Sequence, residues 1–77
     1  NKFTLGYGSK NDFILKGYAE VCDLHAHIFK KDEQVFIENT DAGSEVLVNY
    51  RLVDQQQSMK KGDVIKIGTA LLQYYEI

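Results

Sequence analysis

The sequence predicts an all-β fold, a sandwich or barrel of short strands. Apolar and polar residues alternate within short segments, and turn-forming residues separate these segments at intervals of roughly ten residues. A period of two is typical of strands that bury one face, whereas helical spacing does not persist along this chain. Short strands at regular intervals indicate two packed sheets or a closed barrel.

The first half of the chain contains four predicted strands. Their residue ranges are 2–7, 13–16, 24–30 and 34–39. The segment 8–12 is a predicted turn, because Gly and Asn tolerate positive φ and Asp can bond its own backbone. Residues 17–23 form a predicted loop. The tight charged turn 31–33 predicts a hairpin between the third and fourth strands. In the third strand, Leu24 and alternate residues are expected to face one way, with His25 and alternate residues facing the other.

The second half continues the pattern. Its predicted strands are 45–49, 51–53, 63–67 and 70–77. The loop 40–44 and the turns at Asn49-Tyr50 and Gly68-Thr69 separate them by composition. Residues 54–62 are polar and rich in glutamine, which predicts a long surface connection. The alternation also predicts a core, whose members are Leu24, Ala26, Ile28, Val35, Ile37, Val46, Val48, Ile65 and Ile67.

Length, charge and cysteine content limit the possible functions. The 77 residues form one predicted domain, 1–77, with no room for a second core. The net charge is −2, and no dense basic cluster is present, which argues against nucleic acid as a partner. A single cysteine excludes an internal disulfide and fits a reducing, cytoplasmic compartment. No apolar run approaches a membrane span, so we expect no direct membrane contact by this segment.

Several motifs occur together in an order that resembles forkhead-associated (FHA) domains. Leu5-Gly6-Tyr7 corresponds to the family's Ile-Gly-Arg, and Asn11-Asp12-Phe13-x-Leu15 corresponds to Asn-Asp-Ile-x-Leu. Val21-Cys22-Asp23-Leu24-His25-Ala26-His27-Ile28 corresponds to Val-Ser-Arg-x-His-Ala-x-Ile. Val48-Asn49 precedes a tight turn as in the family, and Gly62-Asp63-Val64-Ile65-Lys66-Ile67-Gly68 corresponds to Gly-Asp-x-Ile-x-Ile-Gly. The resemblance implies an FHA-like β-sandwich of two antiparallel sheets. FHA domains usually have one or two strands before the Gly-Arg position, so either this chain is a trimmed fragment of a larger protein or the sandwich is shortened at its N-terminus.

Most FHA domains read phosphothreonine, and the resemblance identifies the positions that would do so here. The family's phosphate-binding Arg falls on Tyr7, its Ser on Cys22, the following Arg on Asp23, and its peptide-gripping Asn on Ser44. A phosphate needs charge-assisted hydrogen bonds, which these residues supply poorly. The resemblance would also surround the site with the carboxylates Glu20, Asp23, Asp41 and Glu45, leaving Lys10 as its nearby cation. It further implies structural roles for His25, Asn11 and Asn49, with His25 bonding backbone to hold the loops.

Two chemical alternatives can be tested on the same residues. His25, His27 and Cys22 are residue types that bind zinc, but no fourth ligand with the usual pairing is present, so we expect no metal. The sequence shows no catalytic base and acid that would serve Cys22 as a nucleophile. We therefore expect that the chain is not an enzyme and binds no cofactor.

These observations predict a phospho-independent protein-interaction or scaffold domain with a protein partner. The resemblance extends to the cytoplasmic domains of inner-membrane ring proteins in bacterial secretion systems, which implies a possible homo-oligomer in the parent protein. The alternative is a phosphothreonine-peptide reader with a rearranged site that uses Ser9, Lys10 and Ser44.

Overall fold

The computed structural model describes residues 2–41 and 43–75, and the regular structure of these residues is entirely β. The strands are β1 (Lys2–Gly6), β2 (Phe13–Ile14), β3 (Ala26–Lys31), β4 (Gln34–Asn39), β5 (Val46–Val48), β6 (Arg51–Leu52), β7 (Gln56–Met59), β8 (Val64–Ile67) and β9 (Ala70–Gln73). They form a five-stranded sheet in the order β2-β1-β3-β4-β7 and a four-stranded sheet in the order β6-β5-β8-β9. The predicted β-sandwich is therefore confirmed. Its one departure from antiparallel pairing is β2, which pairs parallel to β1.

Two tight turns fix the register of the hairpins. Asp32 and Glu33 have φ values of 52° and 66°, and Asn49 and Tyr50 have values of 52° and 65°. Positive φ at both central residues is the geometry of a type I′ turn, whose twist matches that of the strands it joins. The predicted hairpin therefore forms between β3 and β4, with Lys31 opposite Gln34.

The core lies between the two sheets and follows the alternation of the strands. Its buried members are Leu5, Leu15, Ala26, Ile37, Val46, Val48, Val53, Met59, Ile65, Ile67 and Ala70. Of the residues predicted to be buried, Ile28 and Val35 are partly exposed but pack against this cluster.

Leu24 is the exception, because its side chain is 48% exposed. The strand begins at Ala26 and not at Leu24, and the Leu24 carbonyl accepts a hydrogen bond of 2.9 Å from the Thr40 hydroxyl. Leu24 therefore belongs to the preceding loop, where the alternation of β3 does not apply. At the start of β3 the two faces are also less distinct than predicted, since Ala26 and His27 are both buried, as is His25 just before the strand.

The polar segment 54–62 was wrongly predicted as a connection without regular structure. It contains β7, which pairs antiparallel with β4 and places Met59 opposite Val35. Met59 is the only apolar residue of this strand, so its sequence lacks the alternation of apolar and polar residues that predicts a strand. The predicted closing strand 70–77 ends at Gln73, and its residues 76 and 77 lie outside the described residues.

Asn49 and Asp63 join the strands at the end of the sandwich away from the site described below. The Asn49 side chain donates to Asp63 Oδ1 at 3.0 Å and accepts from the Val64 amide at 3.0 Å. Asp63 Oδ2 accepts from the Lys60 amide at 2.8 Å. This amide is the main cause that lowers the pKa of Asp63, against an opposing effect of burial. Nowhere in the part of the chain that the structure describes is there a helix suited to crossing a membrane.

Candidate functional site

The loops after β1, β2, β4 and β8 meet at one end of the sandwich, and short backbone contacts hold them together. The Tyr7 amide donates to the Cys22 carbonyl at 2.9 Å, and the Gly8 amide donates to the Asp23 carbonyl at 3.1 Å. The Asn11 side chain donates to the carbonyls of Gly8 and Asp23. Asn11 therefore ties the β1–β2 loop to the β2–β3 loop.

Two glycines allow this close approach. A Cβ atom at Gly6 would collide with the Asp23 carbonyl, and one at Gly68 would collide with the Ala19 carbonyl. Gly68 also has a φ of 58°, which L side chains rarely adopt. Next to Gly68, Thr69 exchanges hydrogen bonds with the Ala19 backbone. The β8–β9 turn is thus packed directly on the β2–β3 loop.

His25 connects two of the loops through both ring nitrogens. Its side chain is 1% exposed. The Cys22 amide donates to Nδ1 at 3.1 Å, and Nε2 lies 2.8 Å from the Glu45 carbonyl. Because Nδ1 accepts, Nε2 carries the proton and donates, which is the neutral tautomer. The ring holds the Cys22 segment against the start of β5.

Asn39 shapes the β4–β5 loop. Its side chain donates to the Ser44 carbonyl at 2.7 Å and accepts from the Asp41 amide at 3.0 Å. The Thr40 amide donates to the His25 carbonyl at 3.1 Å. Together these bonds fix Asp41 and Ser44 beside the β2–β3 loop. A short run of Asn, Thr and Asp is a typical turn signal, and it is the feature of the sequence that could have identified Asn39.

Cys22, Ser44 and Asp41 form a compact polar cluster. Cys22 Sγ and Ser44 Oγ lie 2.6 Å apart, and the Gly43 amide donates to Asp41 Oδ1 at 2.9 Å. Hydrogen bonding from the Cys22 thiol is the main cause that lowers the pKa of Asp41, followed by the Gly43 amide. The thiol and the hydroxyl are both able to donate, so either Cys22 or Ser44 can be the donor in their contact. The Asp41 carboxylate thus occupies the Gly43 amide at the edge of this cluster.

Cys22 and Ser44 line a cleft of about 550 Å³ between the loops and the four-stranded sheet. The cleft is further lined by Glu20, Val21, Gly43, Glu45, Leu47, Lys66 and Gly68. Lys66 was not anticipated as part of this site, whereas Lys10 was. The Lys66 ammonium donates to the Gly68 carbonyl at 2.8 Å and forms no ion pair with any described residue. The lysine that lines the Cys22–Ser44 cleft is therefore Lys66.

The other predicted site residues lie elsewhere. Ser9, Lys10 and Asp23 line a second cleft of about 480 Å³, which neither Cys22 nor Ser44 lines. Tyr7 is half-exposed and lines neither cleft. The sequence aligned these positions along one family site, but the loops divide them between two clefts. No group of metal-binding side chains occurs among residues 2–41 and 43–75.

Comparison with known proteins identifies relatives of this architecture. A family model described as "FHA domain" matches residues 3–68. No curated protein sequence matches the chain.

Among solved structures, EmbR of Mycobacterium tuberculosis, in complex with a low-affinity phosphopeptide, superposes with a TM-score of 0.88 at 22% identity over 96% of this chain. The match covers 19% of the EmbR chain, so this chain spans about a fifth of that protein. The FHA domain of the CT664 protein from Chlamydia trachomatis superposes with a TM-score of 0.88 at 23% identity, over 100% of this chain and 77% of that one. The N-terminal FHA domain of Rad53p from S. cerevisiae, in complex with a phosphothreonine peptide, gives a TM-score of 0.77 at 20% identity, over 88% of this chain and 56% of that one. At these identities the likeness to the solved structures shows a shared fold.

Proposed function

Since this chain belongs to the FHA domain family, we propose that it is a protein-interaction module that binds its partner without a phosphate group. Structures of EmbR and Rad53p contain bound phosphopeptides, so phosphate recognition is the reference from which this domain would differ. The proposal assigns it no reaction of its own. Its role would be to hold a protein partner.

The observation that carries the proposal is the position of the Asp41 carboxylate. It accepts from the Gly43 amide at 2.9 Å, next to the pair formed by Cys22 Sγ and Ser44 Oγ, which lie 2.6 Å apart. An incoming phosphate would have to displace Asp41 from the Gly43 amide while lying beside its negative charge. A phosphate at hydrogen-bonding distance from this carboxylate would be repelled by its like charge.

The charges around the cleft also disfavour the binding of a phosphate. Glu20 and Glu45 line it, and neither forms an ion pair with a described residue. Tyr7 stands at the position of the family's Arg and has no charge to offer a dianion. Lys66 is bonded to a carbonyl. A phosphate in the cleft would lie near two carboxylates and one ammonium that is already hydrogen-bonded. The free energy lost on desolvating it would exceed the free energy gained from the hydrogen bonds available there.

A scaffold in a larger assembly is the biological setting that we propose for this module. The cytoplasmic domains of inner-membrane ring proteins in bacterial secretion systems resemble FHA domains that lost phosphate recognition. In that setting the parent protein would place the domain in the cytoplasm and bring several copies together. Fractionation of cells that produce the full-length parent, followed by crosslinking of its copies, tests this placement.

Paired peptide arrays test the phosphate-free proposal. Each position of the array carries one degenerate sequence with threonine and, beside it, the same sequence with phosphothreonine. We expect no systematic preference for the phosphorylated member of a pair. The N-terminal FHA domain of Rad53p serves as the positive control. A consistent preference for phosphothreonine would overturn the proposal, and loss of that preference in Lys10→Ala and Ser9→Ala variants would assign it to a rearranged site.

A further inference from the structure

The outer face of the four-stranded sheet carries a row of apolar side chains. Leu47 on β5 pairs with Leu52 on β6 and with Lys66 on β8, and Lys66 pairs with Leu71 on β9. Residues directly opposite each other on adjacent strands share a face. The neighbours Val46, Ile67 and Ala70 are fully buried on the other face. The row Leu52–Leu47–Lys66–Leu71, which we call the leucine face, therefore points away from the core.

The leucine face is open to solvent. Leu52 is 60% exposed and Leu71 is 57% exposed, while Leu47 is half-buried between its neighbours. Single exposed leucines are common on protein surfaces. An aligned row across all strands of a sheet is different, because contiguous apolar surface usually marks a contact with another molecule. The stem of Lys66 continues this apolar surface, since its ammonium reaches the Gly68 carbonyl.

An acidic rim borders one side of the leucine face. Leu47 and Lys66 also line the cleft that contains Glu20 and Glu45. Both glutamates are exposed and form no ion pair with a described residue. A segment lying on the leucines would therefore extend past two unpaired carboxylates. The chemistry that complements this surface is an apolar stripe with basic residues along one flank.

We propose that the leucine face binds an amphipathic helix of a partner protein, with lysine or arginine on the flank that meets Glu20 and Glu45. The row extends over three strand spacings, or about 14 Å. Apolar residues three and four positions apart on a helix lie about 5–6 Å from each other, close to the spacing between strands. A helix can thus bring successive apolar side chains onto the leucines. This inference deepens the proposed function by naming the surface and the class of partner.

A second copy of the chain fits this surface less well. The strands of the sheet are at most four residues long, so the face measures roughly 14 by 13 Å. Its area is about 180 Å², compared with about 800 Å² that each partner buries in a typical stable complex. Two copies stacked face to face would also bring their glutamate rims near one another. A single helix, about 10 Å wide, needs no larger surface.

The test uses three synthetic helical peptides of about 14 residues, roughly 21 Å of helix. One carries leucines at helical spacing and lysines elsewhere, the second replaces each lysine with glutamate, and the third scrambles the Leu/Lys sequence. Titrations follow the backbone amide shifts of the whole domain. We expect the Leu/Lys peptide to shift Leu47, Leu52, Lys66 and Leu71, with affinity about tenfold higher than for either other peptide.

Matched variants locate the binding. The double variant Leu52→Ser/Leu71→Ser is expected to lower affinity for the Leu/Lys peptide at least tenfold, because it removes the two most exposed members of the row. The control is Leu24→Ser, another exposed leucine that lies outside the face, and it should change affinity less than twofold. Glu20→Gln/Glu45→Gln should weaken binding about threefold to tenfold at low salt and less at high salt. Amide spectra of each variant verify that it is folded.

Several results would overturn the inference. Equal loss of binding in the Leu24 control, or equal affinity for the Leu/Glu peptide, would show that the contact is not specific. Self-association in sedimentation that Leu52→Ser/Leu71→Ser abolishes would assign the face to a second copy. Binding to anionic lipid vesicles that the same variant abolishes would assign it to a membrane. If the domain prefers phosphothreonine peptides but still binds the helical peptide, only the phosphate-free proposal is overturned. If it shows no such preference and does not bind the helical peptide, only this inference is overturned.

Discussion

Asp41 is the residue on which the proposed loss of phosphate binding depends most. Its carboxylate accepts hydrogen bonds at the Cys22–Ser44 cluster and carries a charge that opposes an anion. The sequence placed Asp41 near the site, yet its hydrogen bonds depend on Asn39, which folds the loop over Cys22.

Lys66 was missed for a related reason. It lies far along the chain from the family's binding motifs and reaches the cleft only through the pairing of β5 with β8.

The effect of the Asp41 charge on phosphate binding can be tested by restoring the family's arginine at position 7. Tyr7→Arg alone should leave phosphothreonine affinity unchanged, because the Asp41 carboxylate still accepts from the Gly43 amide and keeps its negative charge. Adding Asp41→Asn should raise affinity at least tenfold over the single variant, since the amide keeps the shape of the carboxylate without its charge. Calorimetry with one phosphothreonine peptide measures the difference. Tyr7→Arg/Asp23→Asn is the matched control, because Asp23 lines the other cleft, and an equal gain there would contradict the assignment to Asp41.

His25 provides a stability test at the same scale. Replacing it with Ala leaves the Cys22 amide and the Glu45 carbonyl without their buried partner. Unsatisfied buried groups cost about 1–3 kcal/mol, so His25→Ala should lower the free energy of unfolding by that amount. Urea unfolding followed by circular dichroism measures it. Ser9→Ala, at an exposed loop position, should stay within about 0.5 kcal/mol of the wild type. A similar loss in both variants would argue against a bridging role for the ring.

Individual elements were predictable where their apolar residues alternate. The strand 34–39 was predicted with the boundaries that the structure has, because Val35 and Ile37 alternate with polar neighbours and a charged turn precedes them. β7 was missed because its pairing with β4 rests on backbone bonds and on Met59 alone. Leu24 was misplaced because alternation cannot show where a loop ends and a strand begins. Tertiary contacts such as Thr40 with Leu24 decide that boundary.

The β3–β4 turn permits a test of backbone strain. Glu33 has a φ of 66°, which is unfavourable for a residue with a Cβ atom. Glu33→Gly should relieve this strain and raise the free energy of unfolding by about 0.5–1 kcal/mol, because glycine is preferred at this position of a type I′ turn. Its exposed ion pair with Lys30, at 3.9 Å, should contribute little. Gln34→Gly, one residue into the strand, should instead destabilise the domain, and a gain there would contradict the explanation.

The Asp63 junction predicts a pH dependence of stability. The pKa of Asp63 is lowered in the folded state, mainly by the Lys60 amide, so the unfolded chain takes up the proton first as the pH falls. Its stabilising contribution is therefore complete above about pH 4–5 and is lost as the pH falls through the folded-state pKa. Urea unfolding at several pH values should show this loss in the wild type. Asp63→Asn should be about 1–2 kcal/mol less stable at neutral pH and show a shallower loss in acid. An unchanged acid slope would contradict the role assigned to Asp63.

At the scale of the whole molecule, the sequence predicted the class of fold because many independent segments agreed on it. Each strand contributed its own alternation, and the turn residues separated them. The surfaces were less predictable. The leucine face requires the register of four strands, and the division of the site into two clefts requires the packing of four loops. Neither relation is local along the chain.

The proposed function requires that the Cys22–Ser44 cleft does not bind phosphate. The most direct measurement is a titration of the wild-type domain with a degenerate phosphothreonine peptide library, followed by backbone amide shifts. We expect no saturable, phosphate-dependent shifts at Tyr7, Cys22, Gly43 and Ser44. Saturable shifts at those amides with micromolar affinity, absent with the unphosphorylated library, would show that the cleft binds phosphate.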